Sequence, residues 1–288
     1  MDKKKRHINL KRNFNFFIEK LKKTDSKKVI LSIITIILFV LVFVLANMVF
    51  YKYLLKRNFE NSVIPFSSKN EHTVFEIKNI TFFSSCDAKN KNISNSNFTI
   101  ENLYQFTDMA LFISSPLEEK NLENTFKKVY IDNINYSKAP SLGNPKLYYK
   151  NIYNFAKSDI LENNLINNKL DFNISSENET NLDTPTLYNN LANPIVLSFV
   201  NENIKSDYTI TDTSKPITYD GSLLKRCDVL LNSISTSISF DIYIVNNLDQ
   251  EFKCTVYIDI PLETDSKSLY DGNITLKKDT NFIFYRYK

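Results

Sequence analysis

Histidine is nearly absent from this chain, and its scarcity limits the chemistry that the protein can perform. The 288 residues include two histidines, His7 and His72. His7 lies in a lysine-rich stretch, so His72 alone serves the large C-terminal part, and no recognisable partner motif accompanies it. The sequence therefore predicts no Ser-His-Asp or Cys-His nucleophile. A zinc site built on several histidines is excluded within one chain, and we expect no metal and no cofactor.

The three cysteines allow at most one disulfide within the chain. Cys254 falls in phase with the apolar residues of an alternating segment, and Cys227 falls in phase with Val229 and Leu231. This phasing favours buried free thiols, which pack as small apolar side chains. A bridge between Cys227 and Cys254 is the alternative in an oxidising environment.

Glycines and carboxylates form no catalytic or phosphate-binding motif. The chain has three glycines, too few and too scattered for a phosphate-binding loop, and it has no Gly-x-Ser-x-Gly turn. Asp220-Gly221 and Asp271-Gly272 are flanked by apolar runs, and this pattern predicts two tight hairpins. No pair of carboxylates stands out, so an enzyme that uses carboxylates or a Ser-Lys pair remains an alternative without named residues.

Tyrosines are densest in the segment 147–155, which contains Tyr148, Tyr149 and Tyr153. Exposed tyrosines can form a stacking surface for a sugar or a partner protein, and we treat these three as a candidate ligand surface. The alternative is that they lie at strand edges with one face in the core. The absence of tryptophan weakens the sugar interpretation.

The clearest secondary-structure pattern is an alternation of apolar and polar residues near the C-terminus. Apolar residues occupy every second position in 238–244 and again in 252–260. The polar stretch Asn246–Gln250 separates the two runs, so the pattern predicts a hairpin with one buried face.

Short segments rich in β-forming residues follow one another along the rest of the chain, and they indicate about a dozen strands with little helix. We expect an all-β fold, an antiparallel β-sandwich or jelly roll, with two stacked sandwiches dividing near residue 160 as the alternative. Segments 103–113 and 126–134 are predicted to pair, and Ser115–Glu118 is predicted to form one helical turn between them. The other predicted strands are 74–83, 146–155, 170–174, 195–200, 223–231, 273–276 and 282–287.

An uncharged apolar stretch near the N-terminus predicts a transmembrane helix. Val29–Phe50 contains 22 residues without a charge, enough for a helix of roughly 33 Å. A cleaved export signal is the alternative, because Ala46 offers the small residue that a signal peptidase needs. Apolar residues continue past Ala46 through Tyr51, which favours an anchor.

Charge before the span predicts its orientation. Residues 1–28 carry eleven cations and three acids, a net charge of +8, so the rest of the chain carries +4 minus +8, or −4. Basic segments beside a span remain cytosolic. The basic pI therefore belongs to the tail and does not predict nucleic-acid binding.

The basic tail also contains an amphipathic pattern. Apolar residues from Leu10 to Leu21 recur at helical spacing. A helix with this pattern can lie on an anionic membrane surface; a solvated tail that only sets the topology is the alternative. The cations that we predict to contact the membrane surface are Lys11, Arg12, Lys20, Lys22 and Lys23.

Together these patterns predict a basic cytoplasmic tail at 1–28, a transmembrane helix at 29–50, a polar stalk at 51–70 and an extracytoplasmic β-sandwich at 71–288. We expect a single-pass cell-membrane protein that acts as a non-enzymatic binding or scaffold module. The expected partners are the lipid bilayer and another membrane or envelope protein, with no nucleic acid. The surface-tethered enzyme is the alternative, and fold alone does not separate the two.

Overall fold

The computed structural model of the protein describes residues 26–67, 73–94, 97–117, 119–159, 162–176, 184–212, 214–264 and 266–287. The five predicted membrane-surface cations, Lys11, Arg12, Lys20, Lys22 and Lys23, lie outside these residues. The chain divides into two compact units, residues 1–63 and 64–288, and each is described by itself.

One long helix, α1 (Ser26–Ser67), includes all the described residues of the N-terminal unit. Its segment Ile34–Leu55 has a mean hydropathy of 2.7 and is entirely exposed, so this helix is long and apolar enough to cross a membrane. Two of its polar side chains bond to its own backbone: Thr35 Oγ1 donates to Leu31 O at 2.9 Å and Asn47 Nδ2 donates to Phe43 O at 2.8 Å. The helix continues through residues 51–67, which the sequence assigned to a polar stalk.

In the described part of the C-terminal unit, eleven strands form two facing sheets. The five-stranded sheet has the order β10-β1-β2-β7-β4, and the six-stranded sheet has the order β11-β9-β8-β3-β5-β6. Within the described residues, each ladder between strands is antiparallel except that between β5 and β6. The prediction of a mostly β, sandwich-like domain is confirmed. The strands are β1 (Glu76–Ser94), β2 (Asn97–Ser114), β3 (Phe126–Lys138), β4 (Asn144–Tyr149), β5 (Leu170–Ser175), β6 (Thr186–Tyr188), β7 (Ile195–Ile210), β8 (Thr236–Asn246), β9 (Glu251–Ile260), β10 (Ile274–Ile283) and β11 (Tyr285–Arg286).

The predicted C-terminal hairpin is present as β8 and β9. Every second residue of β9, from Phe252 to Ile260, is buried against the facing sheet. The side chain of Asn246 holds the turn, because its Oδ1 accepts hydrogen bonds from the backbone N–H groups of Leu248 and Gln250 at 3.0 and 2.9 Å.

The predicted pairing of 103–113 with 126–134 is wrong. The first segment belongs to β2, which pairs with β1 and β7, whereas the second belongs to β3 of the other sheet. Strands from both sides of residue 160 occur in each sheet, so the alternative of two stacked sandwiches is not formed. The helical turn predicted at Ser115–Glu118 is not seen at residues 115–117, where Ser115 Oγ accepts from Leu117 N at 3.2 Å.

The predicted strand 223–231 is also wrong, because this segment begins with the short helix α2 (Ser222–Arg226). Its core-facing residues, Leu223, Leu224 and Cys227, follow helical rather than alternating spacing. Four short 3₁₀ turns accompany it in the described chain, at Ile152–Asn154, Glu162–Asn164, Leu231–Ser233 and Leu269–Asp271.

Neither Asp-Gly pair forms a hairpin. Gly221 begins α2 with ordinary helical torsion angles, φ −55° and ψ −26°, and Gly272 follows the last 3₁₀ turn. The two elements pack so closely that a Cβ on Gly221 would lie 2.1 Å from Leu269 O and 2.3 Å from Gly272 O. Gly221 is therefore required for a close approach between two backbones and not for a turn.

Candidate functional site

The three tyrosines of the predicted ligand surface do not share one exposed face. Tyr148 and Tyr149 are neighbours on β4 and point to opposite faces of the sheet, and both are buried, at 3 and 5% exposure. Tyr149 packs against Phe172, and Tyr148 Oη donates to Glu202 at 2.8 Å. Tyr153 alone is exposed, at 65%, and a ligand role for it stays a prediction.

A buried ion pair lies on the outer face of the five-stranded sheet. Asp108 on β2 is fully buried, and Lys150, which follows β4, is 5% exposed. Lys150 Nζ donates to both carboxylate oxygens of Asp108, at 2.9 and 2.8 Å, and to the backbone oxygen of Lys157. Ser198 Oγ and Ala156 N also donate to this carboxylate, at 2.6 and 2.8 Å. The cluster therefore fixes residues 150–157 over the sheet.

This cluster brings together a serine, a lysine and a carboxylate, but it does not form a Ser-Lys nucleophile. An ammonium group has three N–H donors, and all three of Lys150 are used by Asp108 and Lys157. Ser198 is 1% exposed, so no substrate can reach its hydroxyl. We interpret the cluster as structural.

Burial shifts the ionisation of both partners toward their neutral forms. It raises the pKa of Asp108, while Lys150 and the other hydrogen-bond donors oppose the shift. It lowers the pKa of Lys150, while attraction to Asp108 opposes the shift. Each charge is therefore tolerated in the interior only because the other is present.

The outer face of the six-stranded sheet carries a second group of ionisable side chains. Tyr130 and Tyr243 stack with ring centroids 4.6 Å apart, and Lys253 Nζ lies 2.9 Å from Asp241 Oδ2. Burial alone would raise the pKa of Asp241, but hydrogen bonds from Lys253, Thr255 and a nearby asparagine hold it below its ordinary value. Asp108 and Asp241 lie on different sheets, so these two carboxylates do not share a cleft.

Two sheet edges receive hydrogen bonds from other parts of the protein. Beside β4, Ile166 N donates to Leu147 O at 2.9 Å. Beside β6, the side chain of Asn193 imitates a strand, accepting from Tyr188 N at 2.8 Å and donating to Thr186 O at 2.9 Å. Covering an edge in this way prevents unwanted strand pairing.

The edge of β9 lacks such a cover over most of its length. Asn246 N bonds to Gln250 O at the hairpin turn, so the alternation of an antiparallel ladder directs the even-numbered residues of β9 toward β8. The backbone groups of Thr255, Tyr257 and Asp259 therefore face away from β8. Across the described chain these groups have no ladder partner, since β11 pairs only with Phe252 and Lys253.

A groove runs beside this free edge, between β9 and the edge strand β10 of the other sheet. It consists of two adjoining cavities of about 430 and 340 Å³, which share Tyr257 and Phe282. We call it the side groove. The cavity beside β11 has a mainly apolar lining, whereas the other has polar and apolar groups in similar measure, with Lys278, Asp259 and Glu263 among them. Tyr257 at the mouth of the groove is 69% exposed. Residues on its floor include Ile80, Phe82, Leu276 and Phe282.

The cysteines are three free, buried thiols, as the phasing favoured. Burial raises the pKa of Cys86 well above its ordinary value and raises the pKa of Cys227 and Cys254 to about 12. Thiolates are the reactive form, so these side chains are inert near neutral pH. Among the residues that the structure describes, no three His, Cys, Asp or Glu side chains cluster as metal ligands do.

The side groove was not predicted from the sequence. Most of its residues belong to predicted strands, but those within 278–281 and 261–263 do not. The alternation in β9 identifies its buried face and not its free edge. The Asp108 cluster left one signal, a carboxylate within the apolar run Phe106–Ile113, which indicates a buried polar group that needs a partner.

Comparison with protein-family models, with curated proteins and with solved structures gives no match for this chain.

Proposed function

We propose that the protein is a single-pass membrane protein whose β-sandwich binds a partner protein at the outer face of the cell membrane, without catalysing a reaction. The side groove is the proposed binding site. The observation that carries this proposal is the contrast between sheet edges: those of β4 and β6 receive hydrogen bonds from the chain itself, whereas within the described residues that of β9 has no ladder partner beyond Lys253 and borders the side groove. Bare edges are ready sites for protein association.

Two further observations support the proposal. The apolar span and the strongly basic residues before it favour an anchored protein with its N-terminus in the cytosol. The serine, lysine and carboxylate that adjoin one another at Asp108 are sealed from solvent, which argues against the Ser-Lys form of the enzyme alternative.

Topology is tested first, on intact cells that express the protein with a different tag at each end. Protease added outside should remove the C-terminal tag and leave the N-terminal tag. The mass of the membrane-extracted protein tests anchoring, because loss of residues 1–46 would show a cleaved signal and contradict the membrane tether.

Binding is tested by chemical crosslinking in native membranes, followed by purification of the full-length protein and mass spectrometry. A reproducible membrane or envelope protein should be recovered with the unaltered chain. Tyr257→Ser should reduce its recovery. Tyr153→Ser, at a tyrosine of similar exposure, tests the tyrosine segment as the rival site and should not reduce recovery if the side groove binds the partner. Recovery of the protein alone would contradict the binding function and favour a soluble substrate.

A further inference from the structure

The free edge of β9 already accepts one short strand from the chain itself. β11 pairs antiparallel with β9, with Tyr285 opposite Lys253 and Arg286 opposite Phe252. Beyond that pairing, the backbone groups of Thr255, Tyr257 and Asp259 continue the same row without a partner in the described chain. A second extended segment placed end to end with β11 would pair with these three residues.

The side groove provides a place for the side chains of such a segment. Alternate residues of a strand point to opposite faces, so every second side chain of an added strand would face the groove floor. That floor contains Phe82, Leu276 and Phe282, which favours apolar side chains at those positions.

Arg286 at the β11 end of the groove points to the charge of the occupant. It lines the cavity beside β11, and its Nε is buried without a hydrogen-bond acceptor in the described chain. Arginine guanidinium groups bind carboxylates through paired N–H donors. An acidic side chain of the occupant would pair with the guanidinium of Arg286 from the cavity that this side chain lines.

We infer that the occupant of the side groove is an extended segment of a partner protein, which adds to the free edge of β9 as an antiparallel strand collinear with β11. This segment buries alternate apolar side chains in the groove and places an acidic side chain against Arg286. This inference rests on the proposed binding function and specifies its mode. Main-chain hydrogen bonds supply the affinity in such pairing, and the side-chain positions supply the specificity.

The register of pairing is tested by photo-crosslinking of the full-length protein in native membranes. p-Benzoylphenylalanine is placed at residue 257 in one variant and at residue 259 in another, and the crosslinked peptides are sequenced by mass spectrometry. Strand addition predicts one partner segment, with the crosslinked position moving back by two residues from the first variant to the second. Adducts scattered over several segments would overturn strand addition.

The contribution of the backbone is tested with the crosslinker moved to residue 278 on β10. Tyr257→Pro removes an N–H that faces away from β8, so no ladder bond within the sandwich is lost, whereas Tyr257→Ala keeps this N–H. We expect the adduct yield of the proline variant to be about fivefold below that of the alanine variant, since one main-chain hydrogen bond is lost. Thermal melting of both variants checks that each is folded. If the Tyr257→Ala variant melts early and the Tyr257→Pro variant does not, Tyr257→Asn, which also keeps the N–H, takes the place of Tyr257→Ala. Equal yields would overturn main-chain pairing.

The charge contribution is tested with Arg286→Gln, which should lower the adduct yield by about tenfold. The control is Lys277→Gln, because Lys277 is an exposed cation of β10 that does not line the groove. An unchanged yield with Arg286→Gln would overturn the acidic occupant. Adducts that map to this chain itself, or that carry only lipid, would overturn the partner segment. A complete absence of adducts at residues 257, 259 and 278 would overturn the proposed binding function, whereas adducts with the wrong register would overturn the strand mode alone.

Discussion

Replacing Asp108 with asparagine should destabilise the β-sandwich more than a typical surface substitution. Asparagine matches aspartate in shape, so the change removes the charge and leaves the packing intact. Lys150, at 5% exposure, would then lack the carboxylate that balances its charge, so it would either stay charged and unpaired in the interior or lose its proton. Removing one partner of a buried ion pair leaves an uncompensated charge, which costs about 3–5 kcal/mol.

The neighbouring contacts indicate that the loss falls within this range. The Asp108 carboxylate accepts four hydrogen bonds, from Lys150, Ser198 and Ala156, and an asparagine amide can accept at only one of its two terminal atoms. For a unit of this size each kcal/mol changes the melting temperature by about 2–4 °C. A loss of about 4 kcal/mol therefore lowers the melting temperature by roughly 8–16 °C.

The assay is thermal unfolding of the full-length protein in detergent, followed by the circular dichroism of the β-sheet. Asp249→Asn is the matched control, because Asp249 and its ion-pair partner Lys127 are both exposed, at 73 and 53%. This substitution should change the melting temperature by less than about 2 °C. A double variant, Asp108→Asn with Lys150→Met, should recover most of the loss. If Asp108→Asn melts within about 2 °C of the unaltered protein, the structural interpretation of this cluster is refuted.

Three other predictions follow from the described contacts. The three cysteines should not react with a thiol reagent in the native protein near neutral pH, because each is a buried free thiol of raised pKa. All three should react in denaturant without reductant. Reaction of only one thiol under those conditions would show that the other two form a disulfide. The folded-state pKa of Asp241 is depressed, so its contribution to stability is present above the ordinary carboxyl pKa of about 3.9 and is lost as the pH falls through the folded-state value. Melting temperatures over that acid range should therefore fall less steeply for Asp241→Asn than for the unaltered protein. Gly221→Ala should lower the free energy of unfolding by about 1–3 kcal/mol, measured by urea titration, because its Cβ would meet two backbone oxygens at 2.1 and 2.3 Å.

Local patterns predicted the parts of the fold that depend on neighbouring residues. The β8–β9 hairpin follows from strict alternation and a polar turn, and both lie within one stretch of sequence. The long apolar helix likewise follows from composition alone. Burial of Cys254 was favoured by its phase with the apolar residues of β9.

Features that depend on distant contacts were not predictable. Gly221 reads as a hairpin residue, yet it is fixed by a backbone some 50 positions later in the chain, at Leu269. Asp108 finds its partner Lys150 at a sequence separation of 42 residues, and no local pattern identifies that partner. The side groove depends on which strands occupy the edges of both sheets, so it appears only once the complete strand order is known.

Photo-crosslinking in native membranes at residue 257, compared with residue 153, tests the central claim most directly. The two tyrosines are equally exposed, at 69 and 65%, but Tyr257 lies at the mouth of the side groove and Tyr153 belongs to the predicted tyrosine surface. The binding function predicts a covalent adduct with one partner protein from residue 257 and none from residue 153. An adduct from residue 153 alone would place binding at the tyrosine segment and contradict the role of the side groove, and no protein adduct from either residue would contradict the binding function.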